Sequence, residues 1–442
     1  MQIDAPILDR SVVFRAVAWN QILWTAGYSL TTGGFLLYFA RELGARDAWI
    51  AVLLVLPETV GVVGLLTRSL IREFVARKRL YFIATIAARL VALPIPIVAL
   101  LSSGSDDHRP MLWLIAACVV ATHALGAVAY TAYLSWLSDL MPEVAWGRMF
   151  ARREIAKLCV LLVLPVAAGY LRDVWAEHPR ISLFGYGATF LAGQCLLLAS
   201  VVPMLSLPGR TAVTQLLLRT DWRQVWAAFA NRSMRLLLLH NWSLAFANGL
   251  TQSAFFLYSA SFGPLGIGLG TYNLINGLMR AVQIPVSAYA GRVCDRDRAL
   301  AARAWGVFIG STGLVFWLLA IRETWWLVFF AYLLWGAYAA ANVAGDKLML
   351  EYAPRSDNAT HIAMFAQVGG LISGLAGLIG GVWLDHLRDG GFGTTFSSSW
   401  GDYRFESYQL LFAASLAGRY ASLAWLWPLA KRRRKEASSA LP

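Results

Sequence analysis

"LTTGGFLLY" occupies residues 30–38, and the chain reads "LTQSAFFLY" at 250–258. Leu30, Thr31, Phe35, Leu37 and Tyr38 recur as Leu250, Thr251, Phe255, Leu257 and Tyr258, an offset of 220 that also pairs Arg15 with Arg235. A second set of echoes lies at an offset of 212: Asp139 and Pro142 return as Glu351 and Pro354, Gly169 as Gly381, and Asp173 as Asp385. The offsets differ because loops differ in length, chiefly the longer "SSGSDDHRPM" at 102–111. A chain that repeats itself half its length apart reads as two related units in tandem.

Composition says what the units are made of. The chain is 58% hydrophobic and 14% charged, with a mean hydropathy of +0.56, far more apolar than globular averages. Its 19 Trp and 16 Tyr suit a protein with many membrane–water interfaces. About 20 helical residues cross a bilayer. Apolar runs of that order fall at 15–40, 48–68, 80–101, 111–137, 153–173, 182–206, 235–260, 266–290, 302–321, 325–349, 361–384 and 407–430. None alternates in the manner of a membrane β-strand. The opening "MQIDAPILDRS" lacks the apolar core of a signal peptide, so the first run is expected to remain as a span. The predicted fold class is an all-α polytopic membrane protein, with twelve transmembrane helices in two parallel six-helix pseudo-repeats. The halves are 1–206 and 235–442, joined by a cytoplasmic segment at 207–234. Parallel repeats of this kind hold a solute between them near the bilayer midplane.

The net charge of +13 would suggest a nucleic-acid partner in a soluble domain. Here the basic residues gather in alternate loops, as the positive-inside rule requires. Both termini are expected in the cytoplasm, in the inner membrane, with no nucleic acid bound. Cys118, Cys159 and Cys195 fall within spans and Cys294 in a cytoplasmic loop, so no disulfide is expected. Asn231, Asn241 and Asn358 match the glycosylation pattern by chance on the same topology. The "GIGLG" at 266–270 lacks the strand context of a dinucleotide fingerprint. No phosphate-binding loop, HExxH or GxSxG is present, which leaves an ATP-driven pump or membrane hydrolase without support. The protein is read as no enzyme, with no cofactor and no metal.

Between spans eight and nine the chain reads "GRVCDRDR", with Gly291, Asp295 and Arg296. With twelve spans, 6+6 halves and a long central connection, this loop makes the chain resemble the major facilitator superfamily over nearly its whole length. That family carries a glycine, then Asp-Arg, then basic residues in this loop, and a copy between spans two and three. The chain departs from the pattern at Arg298, where a second glycine is expected. The first copy, "RSLIREFVARKR" at 68–79, keeps only its basic end. "DLMPEVAWGRMFARR" at 139–153 resembles a loop of poorly characterised bacterial members. The resemblance implies a transporter of small solutes acting by alternating access.

A carboxylate at a helix end can pair with arginine from a neighbouring helix or meet a helix N-terminus, and such pairs can bias which side is closed. Asp139, Asp295 and Glu351 are candidates for gating, with Arg148, Arg152, Arg153 and Arg296 as partners. Ionisable residues inside spans are costly and point to function. Glu58 in span two is a candidate proton carrier, and Arg89 and Arg280 candidates for holding an anion or pairing with Glu58. The bland alternatives are a buried structural pair or a snorkelling side chain. Arg419, Asp346 and Lys347 are weaker candidates, and His123 and His240 are read as packing residues. Asn248 and Gln252 share one face of span seven, as Asn276 and Arg280 share one of span eight. With Tyr28 and Tyr38 they form a candidate polar lining, against the alternative of interhelical hydrogen bonds. Asn241, Asn273 and Gln283 add to it. Gly369, Ser373, Gly377 and Gly381 form a packing stripe on span eleven.

"TDWRQVWAAFANR" at 220–232 spaces its apolar residues as a helix lying on the membrane surface would. "DHLRDGGFGTTFSSSWGDYRFE" at 385–406 is read as an irregular outer loop. The functional expectation is a monomeric secondary active transporter in the lipid bilayer, moving a small-molecule solute coupled to protons. Anionic solutes, sugars, amphiphiles and exported hydrophobic compounds all stay open. The alternative from another class is a transporter-like receptor or assembly scaffold without transport, and lipid translocation is a third reading.

Overall fold

The computed structural model describes residues 10–32, 34–45, 47–67, 70–71, 76–101, 109–176, 179–209, 229–259, 264–267, 269–354, 358–398 and 401–439. The surface helix expected at 220–232 lies mostly outside these residues, as does most of the first loop motif.

The N-terminal half of the chain forms α1 (Arg10–Thr31), α2 (Gly34–Glu42), α3 (Asp47–Val60, continued by a 3-10 turn at Gly61–Leu66), α4 (Arg77–Ala92), α5 (Pro94–Leu101), α6 (Arg109–Leu140), α7 (Trp146–Ala176) and α8 (Pro179–Ala199). The C-terminal half forms α9 (Arg232–Leu250), α10 (Gln252–Ser259), α11 (Leu269–Val293), α12 (Ala299–Leu319), α13 (Leu327–Trp335), α14 (Tyr338–Tyr352), α15 (Asn358–Asp389), α16 (Ser407–Ser422) and α17 (Leu426–Ser439). Among the described residues six helical stretches are long and apolar enough to cross a membrane: Arg77–Leu100, Pro110–Leu140, Leu183–Leu205, Leu274–Leu319, Leu327–Tyr352 and Asn358–Leu387. Trp113, Phe184, Leu274, Val382 and Trp427 stand exposed on the helices, as lipid contact permits and water does not favour.

Several expected spans are broken helices. The repeated words explain two of the breaks. α1 stops at Thr31 and α9 at Leu250, so each ends at the repeated Leu-Thr. The Thr31 hydroxyl donates to Gly27 O (2.9 Å) and that of Thr251 to Asn248 O (3.3 Å), back-bonds that loosen a helix. The same helices pack alike: Gly27 abuts Gly193 of α8, and Ala247 abuts Gly418 of α16. Proline at 94 breaks the third span after Leu93, because it brings no N–H and clashes with the preceding turn.

Two expectations are corrected. The segment read as an irregular loop contains a hairpin, β1 (Gly393–Ser398) against β2 (Gly401–Glu406), with Phe396 opposite Tyr403. Cys294 is not in an open loop: it is buried at the start of a wide, kinked helical turn (Cys294–Arg298), with Asp297 at φ 65°, that joins α11 to α12. All four cysteines are free.

The core is unequally shared. At the end of the bundle that carries Arg77, Arg148, Arg292 and Arg433, here the basic end, one apolar cluster joins both halves. Tyr133, Trp136 and Met149 pack there with Met234, Cys294, Leu348 and Ile362. At the opposite end the described residues form two separate clusters. One holds Phe39, Ile115 and Phe190 of the N-terminal half, and the other Tyr258, Trp317 and Phe412 of the C-terminal half. The apolar core is shared at one end and divided at the other.

Candidate functional site

The joined end is held by close helix approach and a few polar contacts. α7 and α11 meet at Gly147 and Gly291. A Cβ on Gly147 would stand 2.5 Å from Asp295 Oδ1 and 2.7 Å from Gly291 O, and one on Gly291 would stand 2.5 Å from Ala151 Cβ. Only glycine lets the backbones come this near. Across the contact Arg148 Nε donates to Asp295 Oδ2 at 2.5 Å, and the Arg148 backbone N–H to Oδ1 at 3.2 Å. Arg148 is 58% exposed, so this pair contributes only about 0.2–1 kcal/mol. Beside it the buried Asn358, at the start of α15, donates to Ser138 Oγ (2.6 Å) and accepts from the Ser135 hydroxyl of α6. These bonds cost more to lose than the ion pair, since a buried amide left unmet forfeits its desolvation, about 1–3 kcal/mol.

Asp139 and Glu351 are tied within single halves. Asp139 pairs with Arg77 (2.7 Å) rather than with Arg148, Arg152 or Arg153, because α4 and α6 lie side by side. Glu351 accepts from Arg433 of α17 at 2.7 Å, and the same guanidinium meets Asp297. Arg296 is exposed and makes no pair among the described residues. Buried Lys347 donates to Cys294 O at 2.5 Å.

Next to this seal lies a polar cavity of about 310 Å³ between the halves. α7 contributes Arg153, Glu154 and Lys157, and facing it are Asn241, Asn248, Arg303, Tyr338 and Asp346. Arg153 spans the interface: its Nε donates to Gln21 Oε1 of α1 (2.8 Å), its Nη1 meets Asp346 Oδ2 (3.4 Å), and it lies over the ring of Tyr130. Lys157 pairs with Glu154 at 2.7 Å. Arg303 is buried with three neutral acceptors, His240 Nε2 (3.0 Å), Ala341 O (2.8 Å) and Asn241 Oδ1 (2.9 Å). His240 Nδ1 lies 2.9 Å from Ser422 O. Both contacts together require the neutral ring with its proton on Nδ1. Three cations against two carboxylates leave the lining net positive.

A second polar group sits between α1, α3, α4 and α6. Gln252 of α10 donates to Glu58 Oε1 at 3.3 Å, a contact between the two halves of the chain. Tyr28 lies within electrostatic reach of both Glu58 and Arg89, stacks on Trp24 at 4.8 Å and meets His123 edge-on at 6.4 Å. Arg89 does not pair with Glu58.

Sequence-predicted residues thus divide. Tyr28, Glu58, Arg89 and Gln252 come together, and Asn248 lines the cavity. Arg280 donates to Gln283 on its own helix (3.1 Å), and neither it nor Asn276 is in the cavity lining. Arg419 is buried and donates to Ser415, Tyr338 and Thr251. The Tyr38 and Asn273 side chains lie outside the described set. On α15, a Cβ on Gly369 would meet Asn241, one on Gly377 would stand 3.5 Å from Gly249 O, and one on Gly381 would meet nothing. The tightest approach on that helix is Gly380 against Leu250 O. Arg303, Lys157 and Tyr130 were missed, as were Asn358 and its serine partners. Arg303 stands at the start of the apolar run at 302–321, where a basic residue is ordinary, and Asn358 read as a chance motif. Nothing in their spacing announces that they are buried.

No protein-family model and no curated protein matches this sequence. Solved structures do. A bacterial homologue of the iron transporter ferroportin, in an outward-facing state, aligns over 95% of this chain and 99% of its own, with a TM-score of 0.64 at 12% identity. The proton:xylose symporter XylE aligns over 95% of each chain, with a TM-score of 0.64 at 11% identity. FucP in its outward conformation aligns over 94% of this chain and 99% of its own, with a TM-score of 0.65 at 11% identity. The chain has the fold of the major facilitator superfamily transporters. Its apolar helices make it a multi-pass membrane protein.

Proposed function

We propose that the protein is a secondary active transporter that carries a small solute by alternating access, coupled to protons. The observation that carries this reading is the shared core at one end and the divided core at the other, with a polar cavity between. That is the arrangement of a carrier sealed on one side and parted on the other. Alternation needs a seal of few, breakable contacts, and the Arg148–Asp295 pair and the Asn358 cluster are of that strength.

Twelve spans in two parallel six-helix halves accommodate every helix described, and the matching breaks at Thr31 and Thr251 support the repeat. On the positive-inside rule the basic, sealed end is cytoplasmic. Both termini then face the cytoplasm of the inner membrane, with the protein open to the outside and acting as a monomer. Glu58 is the proton-carrying group in this reading. It is the carboxylate between the halves that meets an amide rather than a cation, so it can be neutralised without leaving a partner charge stranded. Asp295, with Arg148, acts in the gate.

Spin labels test this in lipid nanodiscs, with Cys159 and Cys195 replaced by serine. Labels at Val144 and Arg298 report the basic end, and labels at Leu171 and Leu274 the opposite end. The expected result is two distance populations at each end, exchanging in opposite senses between pH 6 and pH 8, with Glu58→Gln abolishing the pH response. A single fixed distance at both ends at either pH would rule out alternating access.

A further inference from the structure

Among the described residues four arginines are buried, Arg77, Arg89, Arg303 and Arg419, and Arg153 lies half-buried beside them; all but Arg89 have acceptors. Arg77 has Asp139, Arg153 has Asp346 and Gln21, Arg303 has three neutral acceptors, and Arg419 has three hydroxyls. Arg89 is the exception. It is only 8% exposed, its Nε is buried without a partner, and none of its nitrogens has an acceptor among the described residues. A guanidinium buried without a counter-charge costs several kcal/mol. Arg77 also leaves its Nε unmet, but its Nη1 is held by Asp139 and Ser135 O, whereas the whole Arg89 fork stays open and can receive an anion.

The surroundings say of what kind. Tyr28, Tyr81 and His123 lie within electrostatic reach of Arg89, and none of them is a carboxylate. Trp24 extends this aromatic wall by stacking on Tyr28. Glu58, near Tyr28, is engaged by Gln252 of the other half.

Resting on the transporter reading, we infer that Arg89 receives the carboxylate of the carried solute, an organic monoanion with an aromatic body. Guanidinium and carboxylate match in a two-bond fork. The rings of Tyr28, Trp24 and His123 offer faces and edges to an aromatic body. Glu58 opposes a second negative charge in the same space, so a dianion is disfavoured. Closing the halves around the solute brings the Glu58–Gln252 contact against it.

The test uses full-length protein in nanodiscs, with benzoate and indole-3-acetate as probes and benzamide and indole-3-acetamide as neutral counterparts. Ligand binding raises the melting temperature in proportion to ln(1 + [L]/Kd). Both acids are expected to stabilise the protein at millimolar concentration, and the amides not. Arg89→Gln should need at least about tenfold more acid for the same shift, as loss of a charged hydrogen bond implies. Arg89→Lys should keep part of the response, and exposed Arg232→Gln all of it. Without ligand, Arg89→Gln should melt no lower than the parent, because it removes an uncompensated charge; a structural arginine would give a clear drop. Equal stabilisation by the amides, a shift that survives in Arg89→Gln, or no shift with either acid would overturn the inference. Arg89-dependent binding in a protein whose halves do not move would keep the anion site and end the transporter reading. Moving halves without such binding would do the reverse.

Discussion

A methyl group is the smallest probe of the contact between Gly147 and Gly291. In Gly147→Ala the new Cβ meets the Asp295 carboxylate, a Cβ and a backbone carbonyl within 2.7 Å; the carboxylate can turn away only by giving up its bonds to Arg148, and the other two cannot give way. Overpacking of this kind costs about 1–3 kcal/mol. Much of that cost is avoided if the halves part at the basic end. Gly147→Ala is therefore expected to lower the melting temperature modestly and to lengthen the Val144–Arg298 spin-label distance. An unchanged distance with full stability would mean that the two helices stand further apart than this. Glycine was legible in the sequence at Gly291, within a recognisable loop. It was not legible at Gly147, whose partner lies 144 residues away and shares no spacing with it.

Helices were legible because a bilayer demands long apolar runs, and each expected run contains helix. Their breaks were not, because hydropathy averages over the Thr, Gly and Pro that cause them. The repeated words were visible as repeats, yet only the structure places the repeated threonine at the break in each half. The hairpin was hidden for another reason: Gly and Ser make up half of β1, and the sequence Ser-Trp that follows it is not the Asn-Gly signature that marks two-residue hairpins. Its second strand leads straight into α16, where Glu406 forms a capping box with Gln409, whose Oε1 accepts from the Glu406 N–H at 3.1 Å. Glu406→Ala should cost about 1 kcal/mol through loss of this cap, read as a lowered melting temperature. Glu406→Asp, which keeps an acceptor at the same place, should recover most of it. Equal loss in both variants would assign the effect to the hairpin rather than the cap.

For the whole molecule, what matters is the balance between one shared core and two separate ones. The polar part of the seal is Asn358 with Ser135 and Ser138, and Arg148 with Asp295. Removing it by Asn358→Ala together with Arg148→Gln should shift the population open at the basic end by about tenfold or more, since each 1.4 kcal/mol is a factor of ten. The rate at which native Cys294, buried in the shared cluster, reacts with a water-soluble maleimide measures this, compared with and without these changes in protein carrying Cys118→Ser, Cys159→Ser and Cys195→Ser. An unchanged rate would mean that the apolar cluster alone holds the seal. The site was only half legible at this scale. Glu58, Arg89 and Gln252 stood out because ionisable and amide groups are rare in spans. Arg148–Asp295 and Asn358–Ser135 join residues 147 and 223 apart in sequence, and one chain carries no sign of which residues will meet across such a gap.

The paired glycines also bind the history of the two halves together. Side-chain volume at 147 can grow only where volume at 291 or 151 shrinks or the gap between the helices widens. Lineages that diverge from this protein should therefore trade bulk between these positions in concert, and a chimera joining the first half of one descendant to the second half of another should fail first where α7 crosses α11.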